Sequence, residues 1–95
     1  MTSDHAQAVL FMCRQLTSSD HTVISANTDE KGEPQIFAQD ATGKLAFFFV
    51  RHDASEPSAE DLARFRALAA RHEVAAYYAS VTLTPQPQCL GVRTL

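Results

Sequence analysis

Four carboxylates near the middle of the chain are of the type that holds a hard divalent cation. Glu33 and Asp40 bracket Pro34-Gln35-Ile36-Phe37-Ala38-Gln39, and Glu60 and Asp61 follow further on. Mg²⁺ takes oxygen ligands, commonly one or two carboxylates plus phosphate oxygens, and activates water for phosphodiester hydrolysis. The spacing works against a shared ion. Glu33 and Asp40 lie at opposite ends of one extended segment, and Glu60 and Asp61 fall in the first turn of a helix, where negative charge offsets the helix dipole. Arg51-His52-Asp53 offers a histidine for acid-base or metal chemistry. Adjacent strand residues point to opposite faces, so the triplet reads as a solvated strand end. His5, His21 and His72 show no metal-ligand spacing and read as surface residues.

The cationic, aromatic and sulfur-bearing residues admit other chemistry. Arg64 and Arg71 are seven residues apart and share a helix face. With Arg51 they form a candidate basic patch for phosphates, although Glu60 is placed to pair with Arg64 at i,i+4. Tyr77 and Tyr78 could stack on bases if exposed, but on a strand one of the two points into the core. A nucleophilic cysteine needs a lowered pKa and a nearby base. Cys13 lies on an apolar helix stripe and reads as packing, while Cys89 sits in a proline-flanked tail that leaves its role open.

The elements that must position these residues follow from periodicity and turn signals. A helix is predicted over Asp4 to Leu16, with Ser3 or Thr2 as N-cap. Its apolar stripe is Ala6, Val9, Leu10, Cys13 and Leu16. Ala8, Phe11 and Met12 widen that stripe, so the helix is either covered on two sides or pairs with another chain. Thr22 to Ala26 is a first strand. Pro34 to Gln39 is a second, with Ile36 and Ala38 on one face and Gln35, Phe37 and Gln39 on the other; its proline sits at the first residue, where it is tolerated. Asp40-Ala41-Thr42-Gly43 is a turn. Lys44 to Arg51 has the unbroken apolar centre of a strand covered on both faces.

Ser58-Ala59-Glu60-Asp61 has the form of a capping box with Asp61 in the Glu position. It opens a helix over Ala59 to His72 whose inward face is Leu62, Phe65, Leu68 and Ala69. Val74 to Leu83 is a further strand, ended by Pro85 and Pro87. Cys89 to Leu95 is either a returning edge strand or a tail. The order is α-β-β-β-α-β with an optional last strand. It forms an antiparallel meander and then a helical crossover, which should be right-handed and produce a parallel pair in a mixed sheet.

Composition bounds the answer. At 95 residues and 45% apolar the chain is a single domain over residues 1–95 with the make-up of a soluble protein. A core of this size gives modest stability, and association helps small domains. The formal charge of −3 lacks the basic surplus of a dedicated nucleic-acid binder. The longest apolar run, Leu45 to Val50, is too short to span a membrane, and no signal peptide is apparent. A cytoplasmic setting with both cysteines reduced is the expectation.

With these elements in hand, Gly32-Glu33-Pro34-Gln35-Ile36-Phe37-Ala38-Gln39-Asp40 and Phe47-Phe48-Phe49-Val50-Arg51 resemble the motif strands of the restriction-endonuclease-like superfamily. The letters look closest to its small bacterial members related to archaeal Holliday-junction resolvases. In those proteins the second strand carries Gly-Glu-x-Asp, then an apolar pair and Ala, and the third carries Phe-Val-Glu-Val-Lys. Here Gly32, Glu33, Ala38, Asp40, Phe47 and Val50 match. The metal-binding Asp falls on Gln35, the metal-binding Glu on Phe49 and the Lys on Arg51. The resemblance runs from the first helix through the fourth strand and implies an α/β fold, an α-β-β-β-α-β core with a mixed sheet and a helix on each face.

The departures bear directly on chemistry. Gln35 offers a neutral oxygen and Phe49 offers none, so a cation would lose both charged ligands. Arg51 keeps a charge but stays protonated and cannot serve as a base. The resemblance therefore implies a nuclease-like domain without catalysis, metal or other cofactor, acting by binding or self-association, with a homodimer as the expected assembly. A nucleic-acid-binding module using Arg51, Arg64 and Arg71 is the alternative. A nuclease with relocated acids at Glu33 or Asp40 is the third possibility.

Overall fold

The computed structural model describes residues 3–29, 33–52 and 57–95; Thr2, Gly32 and Asp53, which entered the sequence expectations, lie outside them. The chain begins with helix α1 (Asp4–Ser18), and the hydroxyl of its N-cap, Ser3, accepts a hydrogen bond from the Ala6 N–H at 3.1 Å. Its buried face is His5, Ala8, Val9, Met12 and Leu16. This corrects the expected stripe: Ala6 and Cys13 are half-buried at its margin and Leu10 is 46% exposed. Two overlapping apolar stripes share Val9 and Leu16, and the periodicity of one helix does not say which of them meets the sheet. The same docking corrects the surface assignment of His5, which is buried because it lies on the stripe one turn before Ala8 and Val9.

The remaining elements are β1 (Thr22–Ala26), β2 (Ile36–Gln39), β3 (Leu45–Arg51), helix α2 (Ala59–Arg71), β4 (Ala75–Thr82) and β5 (Gln88–Thr94). They form one five-stranded sheet in the order β1-β2-β3-β4-β5. The pairs β1–β2, β2–β3 and β4–β5 are antiparallel, and β3–β4, joined through α2, is parallel. The last segment is thus a strand. Strand β2 pairs two residues later than its sequence pattern implies, starting at Ile36 instead of Pro34, because the proline has no N–H to donate.

Each face of the sheet has its own core and its own helix. On one, α1 packs over Ile36, Ala38, Phe48, Val50, Ala79 and Val81. On the other, Phe65 and Ala69 of α2 pack over Phe47, Phe49, Ala76 and Tyr78. Strand β3 supplies both, which accounts for its run of five buried residues. The capping box at the start of α2 is complete: Ser58 Oγ accepts from the Asp61 N–H at 3.0 Å and the Ser58 N–H donates to Asp61 Oδ2 at 3.4 Å.

The turn into β3 is held by Asp40. Its Oδ1 accepts from the Thr42 hydroxyl at 2.6 Å and from the N–H groups of Thr42 and Lys44 at 2.9 Å each. Gly43, at φ +90°, supplies the left-handed residue that closes the turn. The Thr42 hydroxyl first, and then the Lys44 N–H, hold the Asp40 carboxyl below its ordinary 3.8. A depressed folded pKa stabilises the fold above the ordinary value, and that stabilisation is lost as pH falls through the folded one. The stability advantage of the native chain over D40N should therefore be constant above pH 3.8 and shrink below it. Urea unfolding at stepped pH checks this, and a gap that grows on acidification contradicts it.

Candidate functional site

The residues at the motif positions of β2 and β3 meet under α2. Gln35 is fully buried, just before β2 begins. Extending the Ile36–Phe48 register by two pairs sets Pro34 opposite Val50, where strand pairing has stopped. The Val50 N–H donates instead to Gln35 Oε1 at 2.9 Å. The side-chain amide continues the ladder, and the oxygen that could have faced a cation is committed to the backbone. Phe49 is also fully buried and stacks on Phe65 at 4.1 Å between centroids and 15° between planes. The Phe65 ring also lies beneath two cations, Arg51 Cζ at 5.5 Å and Arg64 Cζ at 5.3 Å.

The candidate acids have structural partners. Glu33 grips Arg64 with both oxygens: Arg64 Nε donates to Oε1 at 2.7 Å and Nη2 to Oε2 at 3.1 Å. Arg64 Nη2 also lies 3.0 Å from Asp61 Oδ1. This corrects the expected Glu60–Arg64 pair, because the planar guanidinium fits a bidentate carboxylate across elements better than a single contact one turn away. Glu33 raises the Arg64 pKa further. Burial acts to raise the Asp61 carboxyl, but the Ser58 N–H and Arg64 outweigh it and hold that group low. Asp40 serves its turn, at the far end of β2 from Glu33. Among the described residues, no group of three or more His, Cys, Asp or Glu side chains could hold a metal ion.

The three arginines proposed as a basic patch divide. Arg51 and Arg64 converge on Phe65, but two carboxylates offset the Arg64 charge. Arg51 has no carboxylate partner among the described residues. Arg71 is exposed in the last turn of α2. His52 meets buried His5 edge-on, with centroids 6.4 Å apart, so it faces a partner rather than only solvent. His21 packs edge-on against Phe48, and exposed His72 against Phe47. Tyr78 is buried, and half-buried Tyr77 stacks on Phe48 at 5.1 Å. Cys13 is half-buried, and burial pushes its thiol pKa up, away from a reactive thiolate. Cys89 is half-buried on β5 against the α1-side core.

One feature was not anticipated from sequence. Helix α2 packs over β3 and β4, and among the described residues the β1–β2 part of that face is left open. A groove of about 360 Å³ remains there, with Phe37, Phe47, Leu68 and His72 among its walls and Ser25 and Glu33 at its rim. The available signal was Phe37, an aromatic on the less buried face of a half-buried strand.

Residues 5–90 match the family described as "Domain of unknown function (DUF8840)". The chain belongs to this family. No curated protein sequence matches it. Among solved structures, a DUF8840 chain with this fold is similar to Hjc of Archaeoglobus fulgidus, a Holliday junction resolvase from an archaeal hyperthermophile. The TM-score is 0.65 at 13% identity, covering 87% of this chain and 72% of the other. At that identity the likeness establishes the fold, a mixed α/β sheet with the resolvase arrangement of helices. It leaves the activity to be argued from the site.

The buried pair makes two measurable contributions. Gln35→Ala strands the Val50 N–H and should cost about 1–3 kcal/mol, and Phe49→Ala opens a cavity against Phe65 and should cost about 3–5 kcal/mol. Both are read by urea denaturation. Losses within about 0.5 kcal/mol, the range of ordinary surface substitutions, would contradict these roles.

Proposed function

We propose that this DUF8840 chain is a non-catalytic, nuclease-like domain that acts by binding, with a homodimer as its working assembly. The observation that carries the reading is the state of the motif positions. Gln35 spends its oxygen on the Val50 N–H, and Phe49 fills the interior against Phe65. Metal-assisted phosphodiester hydrolysis needs charged oxygens that hold the ion and polarise water. A phenyl ring has none, and an amide engaged with the backbone has no charge. The remaining acids nearest the site, Glu33 and Asp61, both pair with Arg64.

Self-association is supported by the small core and by large apolar side chains left at the surface, Leu10 on α1, Ile24 on β1, and Leu90 and Val92 on β5. A second reading, a nucleic-acid-binding module, is favoured by one observation: Arg51 stands at the site without a carboxylate partner among the described residues. Among the described residues no helix is long and apolar enough to cross a membrane; a cytoplasmic setting with reduced thiols is part of this proposal.

Incubation with duplex, single-stranded and four-way-junction DNA in Mg²⁺ or Mn²⁺ should give no cleavage. Cleavage that disappears in Glu33→Ala or Asp40→Ala would overturn the non-catalytic reading in favour of relocated acids. Light scattering should return a dimer mass, and a monomer at high concentration would remove the dimer. A salt-sensitive DNA mobility shift weakened by Arg51→Ala would favour the second reading, whereas no shift at low salt removes it.

A further inference from the structure

The uncovered groove beside α2 has the make-up of a ligand site. Its volume, about 360 Å³, is at the lower end of the range of small-molecule pockets. Phe37 and Phe47 meet edge to face at 5.4 Å, and the His72 ring meets Phe47 at 5.4 Å. These rings form an aromatic corner against which a planar group can pack. The polar groups at its edge retain capacity. The Ser25 hydroxyl makes no hydrogen bond among the described residues, and His72 is engaged there only through its backbone N–H and its ring contact with Phe47. Each Glu33 oxygen accepts one bond from Arg64, and a carboxylate offers about four lone-pair positions in all, so Glu33 can still accept from a ligand.

These features narrow the ligand class. An aliphatic ligand would leave the Ser25, His72 and Glu33 groups unanswered. An anion would meet the Glu33 carboxylate, and a free cation would compete with Arg64 for it. A neutral planar ring with N–H donors on one edge and acceptors on another answers all of them. We propose that this groove binds a planar nitrogen heterocycle of the nucleobase class, with its face on Phe37, Phe47 and His72 and its N–H edge toward Glu33. This gives a ligand class to the binding role argued above, and it rests on that reading. The ring has two chemical sources, a free nucleoside or an unpaired base in a single strand.

The probe is guanosine, whose edge presents adjacent N–H donors, titrated into the ¹⁵N-labelled full chain. The amides of Ser25, Phe37, Phe47 and His72 should shift together. Ser25→Trp, which fills the groove from an exposed position, and His72→Ala, which removes a wall at an exposed helix end, should each weaken binding about tenfold. The rest of the amide spectrum reports whether each variant is folded, and either variant suffices. A short guanine-containing single strand separates the sources. Tighter, salt-dependent binding at the same amides identifies an unpaired base, and equal affinity identifies the free nucleoside; both support the site. Absence of groove shifts at millimolar guanosine, binding unchanged in the folded variants, or strand-induced shifts confined to Arg51 and Arg64 would overturn it. The cleavage assay decides the non-catalytic reading separately, so a silent groove and an active nuclease are distinct failures.

Discussion

The stack of Phe49 on Phe65 is the contact on which the α2 side of the molecule depends. Strand β3 is the central member of the sheet and, like β4, feeds both cores, so a ring in its middle must be covered on its own face by whatever the crossover supplies. The crossover supplies Phe65, fully buried and stacked nearly parallel to Phe49. Once that pair is in place, the complete capping box at Ser58 and Asp61 sets where α2 starts. One turn of helix then delivers Arg64 to Glu33, and the same ring receives Arg51. The ion pair is largely a consequence of this packing, since a half-exposed arginine gains little from a carboxylate in high dielectric.

The same geometry explains what is left open. A helix of this length covers two strands of a twisted sheet. Helix α2 sits over β3 and β4, and α1 reaches β1, β3 and β4 from the other side. The β1–β2 corner on the α2 side is therefore the uncovered part of the aromatic surface. The sheet edges are interrupted as well: the β1–β2 register shifts between Val23 and Ser25, and the β4–β5 register between Ser80 and Val81. Bulges of this kind turn an edge away from further pairing. They also account for exposed Ile24 and Leu90, each the additional residue at its irregularity.

Much of the architecture was legible in the residues. Ser3 and Ser58 announced the helix starts, the apolar run of β3 announced a strand buried on both faces, and Asp40 to Gly43 announced a turn. These are local signals, because caps, turns and periodicity act over a few residues. The docking phase of α1, the burial of His5 and the partner of Arg64 were not legible. The first two depend on which of two apolar stripes the sheet accepts, and the third on a carboxylate 31 residues distant along the chain.

The sequence by itself determined the element order, the mixed sheet and the uncharged character of Gln35 and Phe49. Those are properties of letters and local propensity. Only the tertiary structure decided what these residues do: Gln35 accepts from the Val50 N–H just past the end of the β2–β3 ladder, Phe49 closes the interior against Phe65, and Phe37 lines a groove. Burial, stacking and the pairing of hydrogen-bonding groups are relations between distant segments, and they take definite form only when the sheet brings those segments together.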